Sequence, residues 1–285
     1  MQLIDVLVSL VLFLIMLGIG ISLSLEDIKL VFQKPKALIV SLSSQMILLP
    51  ILAFLIANVF DIPNYLKIGL VILAASPGGT TSGFITYLFK ANVALSITLT
   101  TFNSVLTLFS IPLIVNYAIR SFEQSEAIFT LPFFDTLKEI VVLTIIPLSI
   151  GIVFKRINNT LALQLAKVMK PLMIVLLGVV FLLKFFGTDG KSGITQQEIT
   201  EILPFAILLN FLCLLVGYSV ANFFSLDIND CITISIESAV HNTTLAFLIS
   251  GTLLHNDDYG KVSLVYAMFS FWTALLFCAI IKKIN

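Results

Sequence analysis

The sequence from Lys67 to Phe89 reads KIGLVILAASPGGTTSGFITYLF. About ten apolar residues stand on each side of Pro77-Gly78-Gly79, and together the two runs are long enough to cross a bilayer. The triplet therefore interrupts a spanning helix near the membrane centre, where freed backbone groups have to be buried in protein or line a cavity. Neighbouring hydroxyl groups make the stretch richer than a proline kink requires, so it predicts a functional break: Ser76, Thr80, Thr81 and Ser82.

Composition places the whole chain in a membrane. Of 285 residues, 59% are hydrophobic and 11% are charged, and the mean hydropathy is +1.09, which is far from soluble domains. Sixteen basic residues balance sixteen acidic ones, so no net field attracts nucleic acid. The three cysteines lie in apolar segments without C-x-x-C spacing, which indicates neither disulfides nor zinc: Cys213, Cys231 and Cys278.

Hydropathy predicts an all-α membrane protein with nine transmembrane helices. No connection is long enough to form a further domain, so residues 1–285 are expected to form one transmembrane domain. The distribution of Lys and Arg favours an N-terminus outside and a C-terminus inside. The predicted spans are Leu3 to Ser24, Ala37 to Phe60, Lys67 to Phe89, Asn92 to Arg120, Leu137 to Phe154, Leu161 to Phe186, Glu201 to Phe224, Cys231 to Leu254 and Lys261 to Ile281.

Two parts of the chain repeat a pattern. Ala57-Asn58-Val59-Phe60 and Ala221-Asn222-Phe223-Phe224 each stand 23 residues before a threonine, Thr80 and Thr244. The match pairs the second span with the seventh and the third with the eighth, so the copies are five spans apart. Because five is odd, the two copies cross the membrane in opposite directions. This predicts inverted repeats, typical of secondary carriers, with halves at about 1–120 and 121–285. A chance match of short apolar strings is the alternative.

Glu237 is the one acidic residue deep in any predicted span. A carboxylate at that depth costs several kcal/mol unless it pairs, takes a proton or binds a cation. Because no Lys or Arg lies deep in a span, a bound cation is the simplest partner, and a protonated glutamate that links helices is the alternative. His241, one helical turn further, is expected on the same face and able to share a proton or a cation.

Further polar groups complete a predicted cation site. Gln45 carries a neutral, hard amide oxygen of the kind that alkali cations prefer, although a hydrogen bond between helices explains it equally well. The fourth span has a polar stripe that has to face the bundle, and its hydroxyls taken alone would simply bond to their own helix. The stripe is Ser96, Thr100, Asn103, Ser104 and Thr107.

These residues resemble the signature of the bile acid:sodium symporter family. The matching motifs are Pro77-Gly78-Gly79-Thr80, Thr86-Tyr87-Leu88 and Asn92-Val93-Ala94-Leu95-Ser96. The first span and five further features extend the resemblance over nearly the whole chain: Lys34-Pro35-Lys36, Gln45, Glu237, Asn242 and Phe269-Ser270-Phe271-Trp272.

The resemblance implies a bacterial inner-membrane symporter that couples Na+ to a small organic anion, such as a bile-acid-like steroid, pantoate or a 2-oxo acid. It implies a core domain in which two broken helices cross at the membrane midplane, a panel domain beside it, and an elevator-like or rocking movement. One sodium site would take Ser82, Ser96, Thr100 and Glu237. The other would take Gln45, Glu237, the Ser238 carbonyl, Val240 and His241. Substrate would lie near Thr80, Thr81, Asn242 and Thr273.

Three positions depart from the family pattern. Gly83 stands where the family often has Asn, His241 where it has Gln, and Thr273 where some relatives have His. Imidazole is a poor sodium ligand, so a proton-coupled carrier is the near alternative. A channel or a sensor is a more distant one. An intramembrane hydrolase, with Ser82 or Ser238 as nucleophile, lacks the expected motifs, so no enzyme is predicted. The sequence leaves the oligomeric state open.

Overall fold

The computed structural model describes residues 3–22, 35–123, 134, 138, 141–187 and 193–284. Within these ranges every regular element is helical, as predicted. The helices are α1 (Leu3–Ser22), α2 (Pro35–Val59), α3 (Asn64–Ala74), α4 (Thr80–Leu88), α5 (Val93–Phe122), α6 (Ile146–Ile157), α7 (Asn159–Phe186), α8 (Gln196–Phe223), α9 (Ile228–Ala239), α10 (Thr243–Phe247) and α11 (Asp257–Ile284). π-Helical turns lie within α2 (Ser44–Leu48), before α6 (Val141–Ile145) and after α10 (Leu248–Leu253).

Several of these helices are long and apolar enough to cross a membrane. In the described ranges four qualify: α2, α8, α11 and the segment Ile228–Leu253 that contains α9 and α10. A fifth, α5, bends by 59° between Val93–Thr107 and Phe109–Phe122. Pro112 explains the bend, because it has no N–H for the carbonyl four residues earlier. The chain is an integral membrane protein, and the number of nine spans stays a prediction.

Two helices are broken, and the breaks touch. The predicted break at Pro77-Gly78-Gly79 is confirmed, because α3 ends at Ala74 and α4 begins at Thr80. A second break separates α9 from α10 at residues 240–242. The Asn242 N–H donates to the Ser76 carbonyl at 2.8 Å and so joins the two breaks. Each break thus satisfies part of the backbone that the other exposes.

The broken helices lie inside the bundle. In α3 the side chains from Ile68 to Ala74 are buried, and in α9 those from Asp230 to Ala239 are buried. Helices α2, α5, α8 and α11 pack around them. Such surroundings are what interrupted backbone at membrane depth requires, since lipid offers it no hydrogen bonds.

The remaining helices form a smaller group. Helix α1 packs against α6 and α7, and it meets the rest of the described chain mainly at α10 and the π-helical turn that follows. The contact between α1 and α6 is close, because a Cβ at Gly20 would lie 2.2 Å from the Leu148 carbonyl oxygen and one at Gly151 would lie 2.5 Å from that of Leu17. Small residues allow this approach of two backbones.

Candidate functional site

Glu237 lies fully buried in α9, and its carboxylate is surrounded by hydroxyl groups. Ser96 donates to Oε1, and the Thr100 hydroxyl lies 3.5 Å from Oε2. Ser82, which donates to the Gly79 carbonyl at 2.5 Å, also lies close enough to interact with the carboxylate. Among the described side chains no Lys or Arg pairs with Glu237. The structure therefore brings together Ser82, Ser96, Thr100 and Glu237 from three separate helices.

Gly78 closes one side of this cluster. Its φ of +64° lies in the left-handed region that favours glycine. A Cβ built at Gly78 would lie 3.1 Å from Glu237 Oε2 and 3.1 Å from Asn103 Nδ2. Both the backbone conformation and the limited space therefore favour glycine here. The first break brings its own backbone against the buried carboxylate.

Gln45 belongs to a second buried cluster beside the first. Its Nε2 donates to Ser41 Oγ at 2.7 Å, and its Oε1 accepts from Asn103 Nδ2 at 2.5 Å. Asn103 therefore lies between Gln45 and the Gly78–Glu237 contact. Asn103 was part of the predicted polar stripe but was not predicted to be a ligand. The signal was its spacing, because it stands three residues after Thr100 and seven after Ser96, on the same face of α5.

The rest of the stripe makes bonds within its own helix. The Ser104 hydroxyl donates to the Thr100 carbonyl at 2.8 Å, and the Thr107 hydroxyl donates to the Ser104 carbonyl at 3.4 Å. These are the local bonds that hydroxyls in membrane helices commonly make. The stripe faces the bundle as predicted. Within the described residues, only Ser96, Thr100 and Asn103 of the stripe contact polar side chains of other helices.

The prediction that His241 lies on the helical face of Glu237 is wrong, because α9 ends at Ala239. The His241 ring instead packs against Tyr266, with ring centroids 5.3 Å apart, and its Nε2 lies 3.7 Å from Cys213 Sγ. Val240 is buried at the helix end.

The Ser238 side chain points away from the carboxylate cluster. Its hydroxyl faces α8, where a Cβ at Gly217 would lie 2.8 Å from Ser238 Oγ. The Ser238 carbonyl, in contrast, lies at the helix break. In a continuous helix it would accept from the Asn242 N–H, but that N–H donates to the Ser76 carbonyl instead. The Ser238 carbonyl is therefore without that helical donor at the break.

The predicted substrate residues divide between the crossing and a neighbouring network. Asn242 is half-buried at the second break and caps α10 by accepting from the Leu245 N–H at 3.0 Å. Thr81 is half-buried in the first turn of α4, whereas the side chain of Thr80 lies outside the described residues. Thr273 donates to Asn210 Oδ1 at 2.6 Å. It thus lies in the neighbouring network.

That network reaches the end of α9 through residues that the sequence did not single out. Asn210 Nδ2 donates to the Tyr266 hydroxyl at 2.8 Å, and this hydroxyl donates to the Ala239 carbonyl at 2.5 Å. Asn210 also lies 3.3 Å from the same carbonyl. Three helices, α8, α9 and α11, are tied together at the break. Such contacts depend on how helices cross, so sequence spacing alone gives no sign of them.

Gly83 faces the carboxylate cluster without contributing to it. A Cβ at this position would lie 3.6 Å from Ser96 Oγ. A polar side chain at position 83 would therefore reach the cluster, and glycine leaves that side of the cluster without a side-chain oxygen.

Comparisons with known proteins identify transporters that are similar to this chain. The model of the Sodium Bile acid symporter family matches residues 9–192. The hepatic sodium/bile acid cotransporter of Rattus norvegicus is 28% identical over 286 residues, 98% of this chain and 77% of that protein. An uncharacterized sodium-dependent transporter, YocS, of Bacillus subtilis (strain 168) is 26% identical over 91% of this chain and 77% of its own length.

A plant protein matches over a smaller share of its length. It is named a probable sodium/metabolite cotransporter, BASS1, chloroplastic, from Arabidopsis thaliana, and it is 25% identical over 246 residues, 86% of this chain. The chain spans 58% of that protein. Similarity thus covers most of this chain but not the whole of each relative.

Proposed function

The chain belongs to the sodium bile acid symporter family, and from this we propose that it is a sodium-coupled carrier that moves a small organic anion across the membrane. One observation carries the proposal. Glu237 is fully buried where two helix breaks meet, and its neighbours among the described residues are hydroxyl groups rather than a cationic side chain. No positive side chain in the described site balances the negative charge of Glu237. A bound cation would balance it.

The energetics favour a bound cation. An uncompensated carboxylate inside a membrane protein costs several kcal/mol, and two or three hydroxyl bonds recover only part of that cost. Sodium is a hard cation that prefers carboxylate, hydroxyl and carbonyl oxygens. We propose that Ser82, Ser96, Thr100 and Glu237 hold one ion. The other ion would use Gln45, Glu237, the Ser238 carbonyl, Val240 and His241. His241 would contribute its main-chain carbonyl, because that group, and not the imidazole ring, lies beside the first helix break.

The anion would bind where the breaks cross. Helix α4 begins at Thr80, so the N–H groups of Thr80 and Thr81 have no carbonyl one turn earlier in their own helix, and Asn242 lies at the start of α10. N–H groups at a helix start favour a carboxylate. We propose Thr80, Thr81 and Asn242 as direct contacts, and Thr273 as a contact through Asn210. The names of two relatives, a bile acid cotransporter and a probable metabolite cotransporter, support candidates that include bile acids and other metabolites.

Helix boundaries support the proposed inverted repeats. Helices α2 and α8 end at Val59 and Phe223, α3 and α9 begin at Asn64 and Ile228, and α5 and α11 begin at Val93 and Asp257. Each of these three pairs is 164 residues apart, which is also the separation of Ala57 and Ala221. Three helix boundaries at the same separation support an internal repeat more strongly than the short sequence match does by itself.

Uptake by the reconstituted protein tests the proposal. Proteoliposomes would receive labelled pantoate, pyruvate or taurocholate with an inward sodium gradient, with potassium in place of sodium, or with a proton gradient alone. We expect concentrative, saturable uptake of at least one anion that requires sodium. Uptake that follows only a proton gradient would contradict sodium coupling and favour the proton-coupled alternative. Equilibration without accumulation would indicate a channel.

A further inference from the structure

We propose that Asn103 is a further cation ligand, one that links the Glu237 carboxylate to the Gln45 amide. This inference rests on the proposed cation coupling and adds a residue to it. The observation behind it is an unpartnered atom. Asn103 is 1% exposed, and its Oδ1 is buried without any hydrogen-bond partner in the described part of the chain.

The position of Asn103 points its amide at the carboxylate cluster. Asn103 Nδ2 and Glu237 Oε2 each lie 3.1 Å from the place where a Gly78 Cβ would stand. The atom placed here is the amide nitrogen, and the unpartnered Oδ1, which is bonded to the same carbon as Nδ2, therefore lies beside the same part of the first helix break. Thr100 and Ser96, which contact the carboxylate, lie on the same face of α5 as Asn103.

The chemistry of the orphaned oxygen selects its partner. A buried acceptor without a donor costs about 1–3 kcal/mol. The ionised carboxylate has no proton to donate, so it cannot satisfy Asn103 Oδ1 with a hydrogen bond. A hard monovalent cation satisfies both at once. The missing side-chain oxygen at Gly83 makes an oxygen from elsewhere in the bundle more valuable, and Asn103 supplies it.

The other half of the amide explains the link to Gln45. Asn103 Nδ2 donates to Gln45 Oε1 at 2.5 Å, which fixes the amide with its Oδ1 free. The carbonyl of Gln45 has a second lone pair, so it remains able to bind an ion while it accepts this bond. Asn103 thus contacts one proposed ion directly and orients a ligand of the other.

Binding of ²²Na+ to the purified protein in detergent tests the inference without requiring a known substrate. Asn103→Leu removes both amide groups at similar volume, and Asn103→Asp keeps an oxygen but loses the donor. Thr101→Val is the matched control, because the Thr101 hydroxyl is already used on the Ile97 carbonyl of its own helix. We expect Asn103→Leu to weaken sodium binding by about tenfold or more. Asn103→Asp should bind sodium more tightly than Asn103→Leu, because it keeps an oxygen at the proposed ion, and Thr101→Val should stay within about threefold of the unmodified chain.

Asn103→Asp also provides a readout that a purely structural role would not change. Two carboxylates would then face one ion, so calcium should compete with ²²Na+ in this variant and not in the unmodified protein. If Asn103 only positions Gln45, Asn103→Asp should bind sodium as poorly as Asn103→Leu, because both lack the donor. That result would overturn the ligand role. If Asn103→Leu fails to fold, the calcium competition in Asn103→Asp tests the ligand role by itself, and its absence would overturn that role.

A double variant separates the two parts of the proposal. In a Gln45→Leu background, Asn103→Leu should weaken sodium binding further, because the Glu237 site loses an oxygen of its own. No further loss would show that Asn103 acts only through Gln45. If the unmodified chain binds no sodium, the proposed function and this inference both fall. If it binds sodium and Asn103→Leu matches Thr101→Val, only this inference falls.

Discussion

At the scale of single residues, the sequence predicted which side chains form the site better than it predicted their contacts. The family resemblance implied Glu237, Ser96 and Thr100 as ligands of one ion, and the structure brings these three residues into contact. Asn103 and Asn210 were not predicted as site residues, because their partners come from other helices and depend on crossing geometry. His241 was misplaced because the helix that would have aligned it with Glu237 ends two residues earlier.

Gly78 gives a prediction at this scale. Gly78→Ala places a Cβ 3.1 Å from both Glu237 Oε2 and Asn103 Nδ2, in a backbone conformation with φ of +64°. We expect a loss of stability of about 1–2 kcal/mol from backbone strain and weaker sodium binding, measured by thermal unfolding and by ²²Na+ binding. Gly178→Ala is the control, because nothing lies within 4 Å of a Cβ at that helical position. It should leave binding unchanged and stabilise the helix by about 0.5–1 kcal/mol. Equal effects of the two substitutions would contradict the proposed role of Gly78.

At the scale of elements, only one of the two breaks has a sequence signal. Pro77-Gly78-Gly79 predicts the first break, because proline lacks an N–H and glycine adopts positive φ. The second break, at residues 240–242, contains neither residue type. Tertiary contact stabilises it, because the Asn242 N–H bonds to Ser76 and the Asn242 side chain caps α10. Local propensity cannot reveal a break that a neighbouring helix imposes.

The cap at Asn242 gives a prediction for this element. Asn242→Ala removes the bond to the Leu245 N–H, which should destabilise the second half-helix by about 1 kcal/mol. Since α10 begins at the proposed substrate position, anion uptake should fall as well. Asn158→Ala is a matched control, because Asn158 caps α7 through the Leu161 N–H at the same 3.0 Å but is exposed. It should reduce stability at most by a similar amount and leave uptake unchanged. An unaffected uptake in Asn242→Ala would argue against a substrate site at this helix start.

The contact between α8 and α9 provides a second prediction for elements. A Cβ at Gly217 would lie 2.8 Å from Ser238 Oγ and 2.9 Å from Ser235 Cα. Because a backbone atom cannot move aside cheaply, Gly217→Ala should force the two helices apart and lower the unfolding temperature. Gly178→Ala again serves as the control. An unfolding temperature equal to that of the unmodified protein would show that the helices are less tightly packed than the structure indicates.

At the scale of the whole molecule, composition was sufficient to predict an all-helical membrane protein, but not the grouping of its helices. The close approach of α1 and α6 at Gly20 and Gly151 joins segments more than 120 residues apart. Sequence periodicity carries no information on such a pairing. We propose that this smaller group and the bundle around α3 and α9 move relative to each other during transport.

The inverted repeat makes a prediction for the whole molecule. If α3 and α9 cross the membrane in opposite directions, Asn64 and Asn229, both exposed at the helix starts, lie on opposite faces. The three native cysteines are buried, so Asn64→Cys and Asn229→Cys each add one accessible thiol. In intact cells, a membrane-impermeant maleimide should label Asn64→Cys, and it should label Asn229→Cys only after permeabilisation. Labelling of both from the same side would contradict the inverted topology.

The most direct measurement is the thermal unfolding of the purified protein in sodium and in potassium, for the unmodified chain and for Glu237→Gln. Unfolding can be followed with a dye that reacts with the buried thiols of Cys213, Cys231 and Cys278. A ligand that binds only the folded state stabilises it by about 2.7 kcal/mol at one hundred times its Kd. We expect sodium to raise the unfolding temperature of the unmodified chain, and Glu237→Gln to abolish that rise while unfolding cooperatively. Equal sodium stabilisation of both proteins would contradict a coupling ion bound at Glu237.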